Sequence, residues 1–350
     1  MTPRERFLCA LKGDMPDRIP MVIWNNKLLG NDLDDQIFDL GVLQISKSCV
    51  WRMHFNGVKV ESKEENLEDG SIRKVKTFKT SAGDLELKER ILPNTVWIEE
   101  FPFKSKKDYD ALEILIASRN YEPDFVRFLN DDVIRGDQSL ARPTTIHSPM
   151  HELIYEFMGL KNFSIEYTEN RERLLHLEEV LKNDWLKRVN LTAQSPVKYA
   201  VIEGNTEFSV VGPDRFRQHY MPCIQEACEI LHSHDVIAGA HLDGNNRLLA
   251  PLIAETSIDL IESFTPAPET DFSISEARKA WPGKALQIHF PSSVHLGGGE
   301  RIRKIAADYL KQVSPGNGFV VGVSEDLPDR GVNSMIPMYE FFYRNGKLPL

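Results

Sequence analysis

From about residue 142 onward, short apolar runs alternate with longer segments of helical period. "ENRERLLHLEEVLKNDWLKRVNL" puts Leu174, Leu177, Leu181, Trp185 and Val189 on one stripe. "GPDRFRQHYMPCIQEACEILHSH" does the same with Phe216, Tyr220, Ile224, Ala227 and Leu231. Between such helices, "RPTTIH", "VKYAVIEGN", "DVIAGAHLDG", "IDLIESF", "ALQIHF" and "GFVVGVSED" read as buried strands. Upstream, "RERFLCALKG" is a short amphipathic helix ended near Gly13 and Pro16, and "RIPMVIWNN" is a first buried strand. Residues 69–103 have a different rhythm. "IRKVKTFKT", "DLELKERIL" and "TVWIEEFPF" alternate with period two, which predicts an antiparallel hairpin or small sheet inserted before the main fold.

Strand–helix alternation implies parallel strands joined by right-handed crossovers. The count and the length predict an α/β fold, a (β/α)8 TIM-type barrel forming one domain over residues 1–350. A doubly wound open sheet is the alternative. No GxGxxG follows the first strand, which counts against a dinucleotide fold.

A barrel does its chemistry at the C-terminal ends of its strands. Those ends carry an unusual series: Glu203, then His241 with Asp243, Glu262, His289, and finally Glu325 with Asp326. One such residue would be unremarkable, but five successive strands delivering a histidine or an acid to one face predict a functional centre. Each has a structural alternative. Asp243 could cap the helix opening at "DGNNRLL". Glu262 could pair with an arginine inside the barrel, and His289 could be a satisfied core histidine. Histidine with carboxylates is a competent ligand set for a divalent ion, zinc or a harder metal. The same groups could transfer protons without any metal.

Composition narrows the partners. The chain of 350 residues is 41% apolar and carries a net charge of −10 without a basic block, so nucleic acid and anionic membranes are not expected partners. No apolar run reaches the ~20 residues of a membrane helix. "MTPRERFLCALKGD" has no apolar signal region. Cys9, Cys49, Cys223 and Cys228 show no CxxC spacing and read as free thiols, so a cytoplasmic location is expected.

"RERFLCALKGDMPDRIP", "GPDRFRQHYMPCIQEACEILHSHDVIAGAHLDGN", "GFVVGVSEDLP" and the terminal "KLPL" resemble, in order along the chain, the uroporphyrinogen decarboxylase superfamily. Where decarboxylases of that superfamily carry an arginine-rich "RQAGRY"-like stretch, this chain reads "MVIWNNKLLGND", with no arginine. The resemblance therefore points to the other branch, the corrinoid-dependent methyltransferases, of the methylcobalamin:coenzyme M and O-demethylase types. It implies a divalent metal, zinc foremost, held in relatives by H-x-C and a later cysteine. Those positions correspond here to His241, Asp243 and, at or near the last, Glu325, so carboxylates stand in place of thiolates. Glu262 is expected to complete the metal shell. Glu203 and His289 are expected as catalytic groups, and Trp24, Asn25, His147 and Phe264 as substrate-side residues. The expected partners are a small-molecule methyl donor and a corrinoid protein, with a homodimer compatible. A metal-free decarboxylase and a non-catalytic binding barrel are the alternatives.

Overall fold

The computed structural model describes residues 1–93, 95–324, 327 and 334–350. The chain divides into two compact units, one of Met1–Val50, Asp124–Ile146 and Val189–Leu350, the other of Trp51–Pro123 and His147–Arg188.

The first unit is the barrel. Its strands are β1 (Met21–Trp24), β2 (Leu43–Lys47), β3 (Ser139–Arg142), β4 (Tyr199–Val201), β5 (Ile237–His241), β6 (Leu260–Phe264), β7 (Ala285–Phe290) and β8 (Phe319–Val323). All neighbours pair in parallel, and the sheet runs β4-β5-β6-β7-β8-β1-β2-β3. A parallel bridge between Ile146 and Ile202 brings the two ends together. Ile146 N–H donates to Val201 O at 3.1 Å, and Glu203 N–H to Ile146 O at 3.0 Å. This is the expected fold. Two strand positions differ from the sequence reading. β2 is too short and mixed to stand out in the pattern. β3 lies at "SLAR" instead of "RPTTIH", because the prolyl residue after Arg142 cannot donate to a ladder.

Period two fixes what fills the barrel. Val22, Leu43, Ile45, Leu140, Tyr199, Val201, Leu260, Ala285 and Val320 form one buried cluster with the helix Pro3–Leu11 through Phe7, Ala10 and Leu11. Phe7 meets Tyr199 edge-on with ring centroids 5.5 Å apart. That helix begins with Pro3 at its first turn and a capping box between Thr2 and Glu5. Toward their C-terminal ends, β3, β5, β6 and β7 place polar residues at inward positions. Arg142, His241, Glu262 and His289 are the next inward residues after Leu140, Gly239, Leu260 and Gln287.

The second unit holds a four-stranded antiparallel sheet, Lys59–Asn66, Ile72–Thr80, Gly83–Ile91 and Val96–Glu100, in chain order. Three of these are the strands expected within 69–103. Trp51–Phe55 pairs antiparallel with Arg119–Pro123. It also contains the short helices Lys106–Asp108 and Pro149–Glu152, helix Tyr109–Ala117, the π-helical segment Leu153–Met158 and helix Gly159–Glu169, with residues 171–188 of the long helix Arg171–Ala193. The predicted stripe of that helix, Leu174, Leu177, Leu181 and Trp185, is buried to within 1%. Among the described residues, no helix is long and apolar enough to cross a membrane.

Candidate functional site

β5 and β6 pair so that His241 stands beside Glu262 in register. The Glu262 carboxylate is fully buried, and both its oxygens are engaged. Oε2 accepts from His241 Nδ1 at 2.5 Å, and Oε1 accepts from Arg142 Nη2 at 3.3 Å. Arg142 is itself fully buried and is anchored by Nη1 to Pro143 O at 3.1 Å and by Nη2 to Thr145 Oγ1 at 3.1 Å. The arginine pairing open to Glu262 from the sequence is thus made, across 120 residues of chain.

The other face of the imidazole looks at Asp243, with Nε2 and Oδ2 3.5 Å apart. Burial alone would pull the His241 pKa down. The Glu262 charge and hydrogen bonds to Asp243 and Glu262 more than reverse that, lifting it to about 9. Glu262 moves the opposite way. Burial would raise it, but Arg142 first and His241 next hold it well below the usual carboxylate range.

His289 completes the inner group. The Trp24 indole N–H donates to His289 Nε2 at 3.4 Å, and the Ser263 hydroxyl lies 3.0 Å from the same nitrogen. An indole can only donate, so Nε2 is the acceptor and the ring proton resides on Nδ1. The His241 and His289 rings meet edge-on at 6.3 Å. The backbone here is strained: Glu203, Asn205 and Ser263 all have positive φ, at 79°, 47° and 60°. Glu203 is buried, its main-chain oxygen accepts from His241 N–H at 3.1 Å, and its carboxylate accepts from Gly204 N–H at 3.3 Å.

His241, Asp243 and His289 open onto a cavity of about 520 Å³, which Asn205, Thr265, Glu269, Thr270, Ser292 and Ser324 also line. Among the described residues, every one lining the cavity is polar, and none is a lysine or arginine. Trp24 and Phe264, expected as substrate-side residues, are not among the described lining residues. Trp24 is buried, with Lys47 at 5.0 Å and Arg142 at 5.4 Å from its ring. Phe264 would face inward by alternation from Leu260 and Glu262. A register shift between Ile261 and Phe264, with the positive φ of Ser263, turns it outward against Phe272 and Trp281.

The remaining expected residues are scattered. Asn25 is exposed in the short helix Asn25–Lys27. His147 belongs to the second unit, where it stacks on His151 at 4.3 Å. Glu325 lies outside the described residues. Asp243 does not cap a helix: the next begins at Arg247, with Asn246 as its N-cap. The "GNN" after it instead grips Glu207, whose Oε2 accepts from Asn245 N–H at 2.8 Å. Arg142, Ser263, Thr265, Glu269 and Thr270 were not singled out in the sequence. Only Arg142 had a readable cue, its place at an inward strand position before a proline.

Among the described residues, His241 and Asp243 fit a divalent cation as two of its ligands. Two ligand atoms bound about 2.1 Å from one tetrahedral ion lie about 3.4 Å apart. His241 Nε2 and Asp243 Oδ2 have that spacing. Glu262 has the contacts of the carboxylate behind a metal-binding histidine, holding Nδ1 so that Nε2 points outward.

No protein-family model matches the chain, and no curated protein is similar to it in sequence. Among solved structures, a methyltransferase from Methanosarcina mazei superposes with a TM-score of 0.59 at 12% identity, covering 98% of this chain and 99% of its own. At that identity the likeness concerns the fold. The xylohexaose-bound modules of a Clostridium thermocellum endo-1,4-beta-D-xylanase reach a TM-score of only 0.38 at 10% identity, over 85% of this chain and 83% of theirs.

Proposed function

We propose that the chain is a metal-dependent methyltransferase that moves a methyl group between a small methylated substrate and a corrinoid carried by a partner protein. The observation that carries this reading is His241, locked by buried Glu262 on one side and set 3.5 Å from Asp243 on the other, at the mouth of a polar cavity. His241 and Asp243 would hold a divalent ion, zinc by the donor set, with Glu325 as a third ligand by its place after β8. Bound there, the ion supplies a Lewis acid toward the sulfur or oxygen that carries the methyl. Glu262 and Arg142 keep the imidazole oriented. His289, with its proton on Nδ1, serves as a hydrogen-bond donor at the cavity wall. A methyltransferase shares the fold over nearly the whole chain, which supports the reading.

Elemental analysis of protein purified without chelator, followed by methyl transfer to reduced cobalamin from a panel of methylated compounds, tests it. About one equivalent of metal and activity lost in His241→Ala are expected. Metal-free protein whose activity survives His241→Ala refutes it. A metal-free decarboxylase is the second reading, favoured by the readily protonated His241. It predicts carbon dioxide release insensitive to chelator, but Asp243 and Glu269 in the lining would repel a carboxylated substrate.

A further inference from the structure

The second unit contains a cavity of its own, of about 270 Å³. Phe55, Phe78, Leu115 and Phe157 give it apolar walls. Arg119 and Glu156 line it as well, and Arg119 belongs to a buried network. Arg119 Nη1 donates to Glu152 Oε2 at 3.1 Å and to Asp184 Oδ2 at 3.3 Å. Arg188 Nη2 donates to Glu152 Oε1 and lies 3.3 Å from Asp184 Oδ2. Two guanidiniums thus neutralise two carboxylates.

Glu156 is a third carboxylate in this group. Its Oε2 is 3.9 Å from Arg119 Nη2, beyond hydrogen-bonding distance. The other cation on the lining, Lys76, is engaged by Glu89 at 2.9 Å. The Glu156 side chain is 44% accessible. Yet burial, and then the Glu152 charge, raise its carboxyl to about 7 against the pull of Arg119, Arg188 and His151. Glu156 is one of the residues that line the cavity. It is carried by the π-helical segment Leu153–Met158, a rare geometry frequent at functional sites. That segment ends at Gly159, with φ of 70° and the Phe101 ring 2.7 Å from where a Cβ would stand.

We propose that this cavity binds a small amine, its apolar body against Phe55, Phe78, Leu115 and Phe157 and its ammonium on Glu156. Among the described ion pairs, two arginines face three carboxylates, and a cationic head adds a third positive charge. A neutral head leaves Glu156 to be neutralised by a proton, and an anionic head is repelled. The inference is independent of the chemistry at the barrel mouth.

The test is calorimetric titration of the full chain at pH 8 with three probes of one shape: 2-phenylethylamine, 2-phenylethanol and 3-phenylpropanoate. The amine is expected to bind at least tenfold more tightly than the alcohol, and the acid more weakly still. Glu156→Gln should abolish the preference for the amine while leaving the alcohol's affinity in place. Leu115→Trp, which fills the cavity, should abolish binding of all three. At pH 6, where a proton competes for Glu156, the amine should bind about tenfold more weakly than at pH 8. Absence of saturable amine binding, equal affinity for the three probes, or an amine preference that survives Glu156→Gln would each overturn the proposal.

Discussion

Glu262→Gln is the sharpest perturbation that the barrel site offers. The carboxylate is fully buried and serves two cations, Arg142 at 3.3 Å and His241 at 2.5 Å. Glutamine keeps the shape and removes the charge. Leaving buried Arg142 without its carboxylate costs about 3–5 kcal/mol at any pH. A second loss depends on pH. His241 titrates at about 9 in the folded chain, against about 6.5 for an unperturbed imidazole. A raised pKa means that the pairing stabilises the fold fully below about 6.5, and that this contribution disappears as pH rises through about 9. Its full size is about 3 kcal/mol. Glu262 departs further from its ordinary value than His241 does because Arg142 acts on it as well, so the imidazole is the better measure of the pair. Without Glu262, burial dominates and His241 should titrate at or below about 7, with only Asp243 beside it. Proton NMR titration of the His241 ring reads this directly. Urea unfolding at pH 6 and pH 10 reads the linkage: the gap between wild type and variant should be about 3 kcal/mol wider at pH 6. An imidazole that still titrates near 9 in Glu262→Gln, or a gap of equal size at both pH values, would refute the pairing and with it the proposed orientation of Nε2.

Metal binding should release the proton that His241 holds, so the apparent zinc affinity should rise about tenfold per pH unit below about 9 in competition titrations. Glu262→Gln, which leaves His241 and Asp243 in place, should weaken that affinity about 10–100-fold at a pH above about 9, where the imidazole is neutral in both proteins. His295 is buried, with Nδ1 on Ser334 Oγ at 2.6 Å, and burial lowers its pKa to about 4. Its lowered value means stability present above about 6.5 and lost as pH falls through about 4, by about 3 kcal/mol, a loss that unfolding curves should show shrinking in His295→Gln. Gly244→Ala would place a Cβ 2.6 Å from Glu207 Oε2 and 2.7 Å from Thr206 O. It should cost about 1–3 kcal/mol and disturb the loop that carries Asp243, visible as a lower thermal midpoint. Phe7→Ala should cost about 3–5 kcal/mol in urea unfolding, because the ring is fully buried against Tyr199 at the apolar end of the barrel.

The alternation of short apolar runs with helical stripes determined the barrel, because period and length are local properties that burial in a parallel sheet imposes directly. It also brought Glu203, His241, Glu262 and His289 to strand ends, since period two carries Val201 to Glu203, Gly239 to His241, Leu260 to Glu262 and Gln287 to His289 on the inward side. Tertiary structure decided which of these residues meet. Glu262 takes Arg142 from β3 and His241 from β5, a choice set by sheet closure and register that no spacing along the chain encodes. The bulge at Ser263 turned Phe264 away from the cavity against plain alternation. The surplus carboxylate of Glu156 became visible only once two arginines and two other acids, up to 69 positions apart from Arg119 to Arg188, were seen to neutralise one another. Local periodicity says which way a side chain points. Which charges face each other across the space it points into is a property of the folded chain alone.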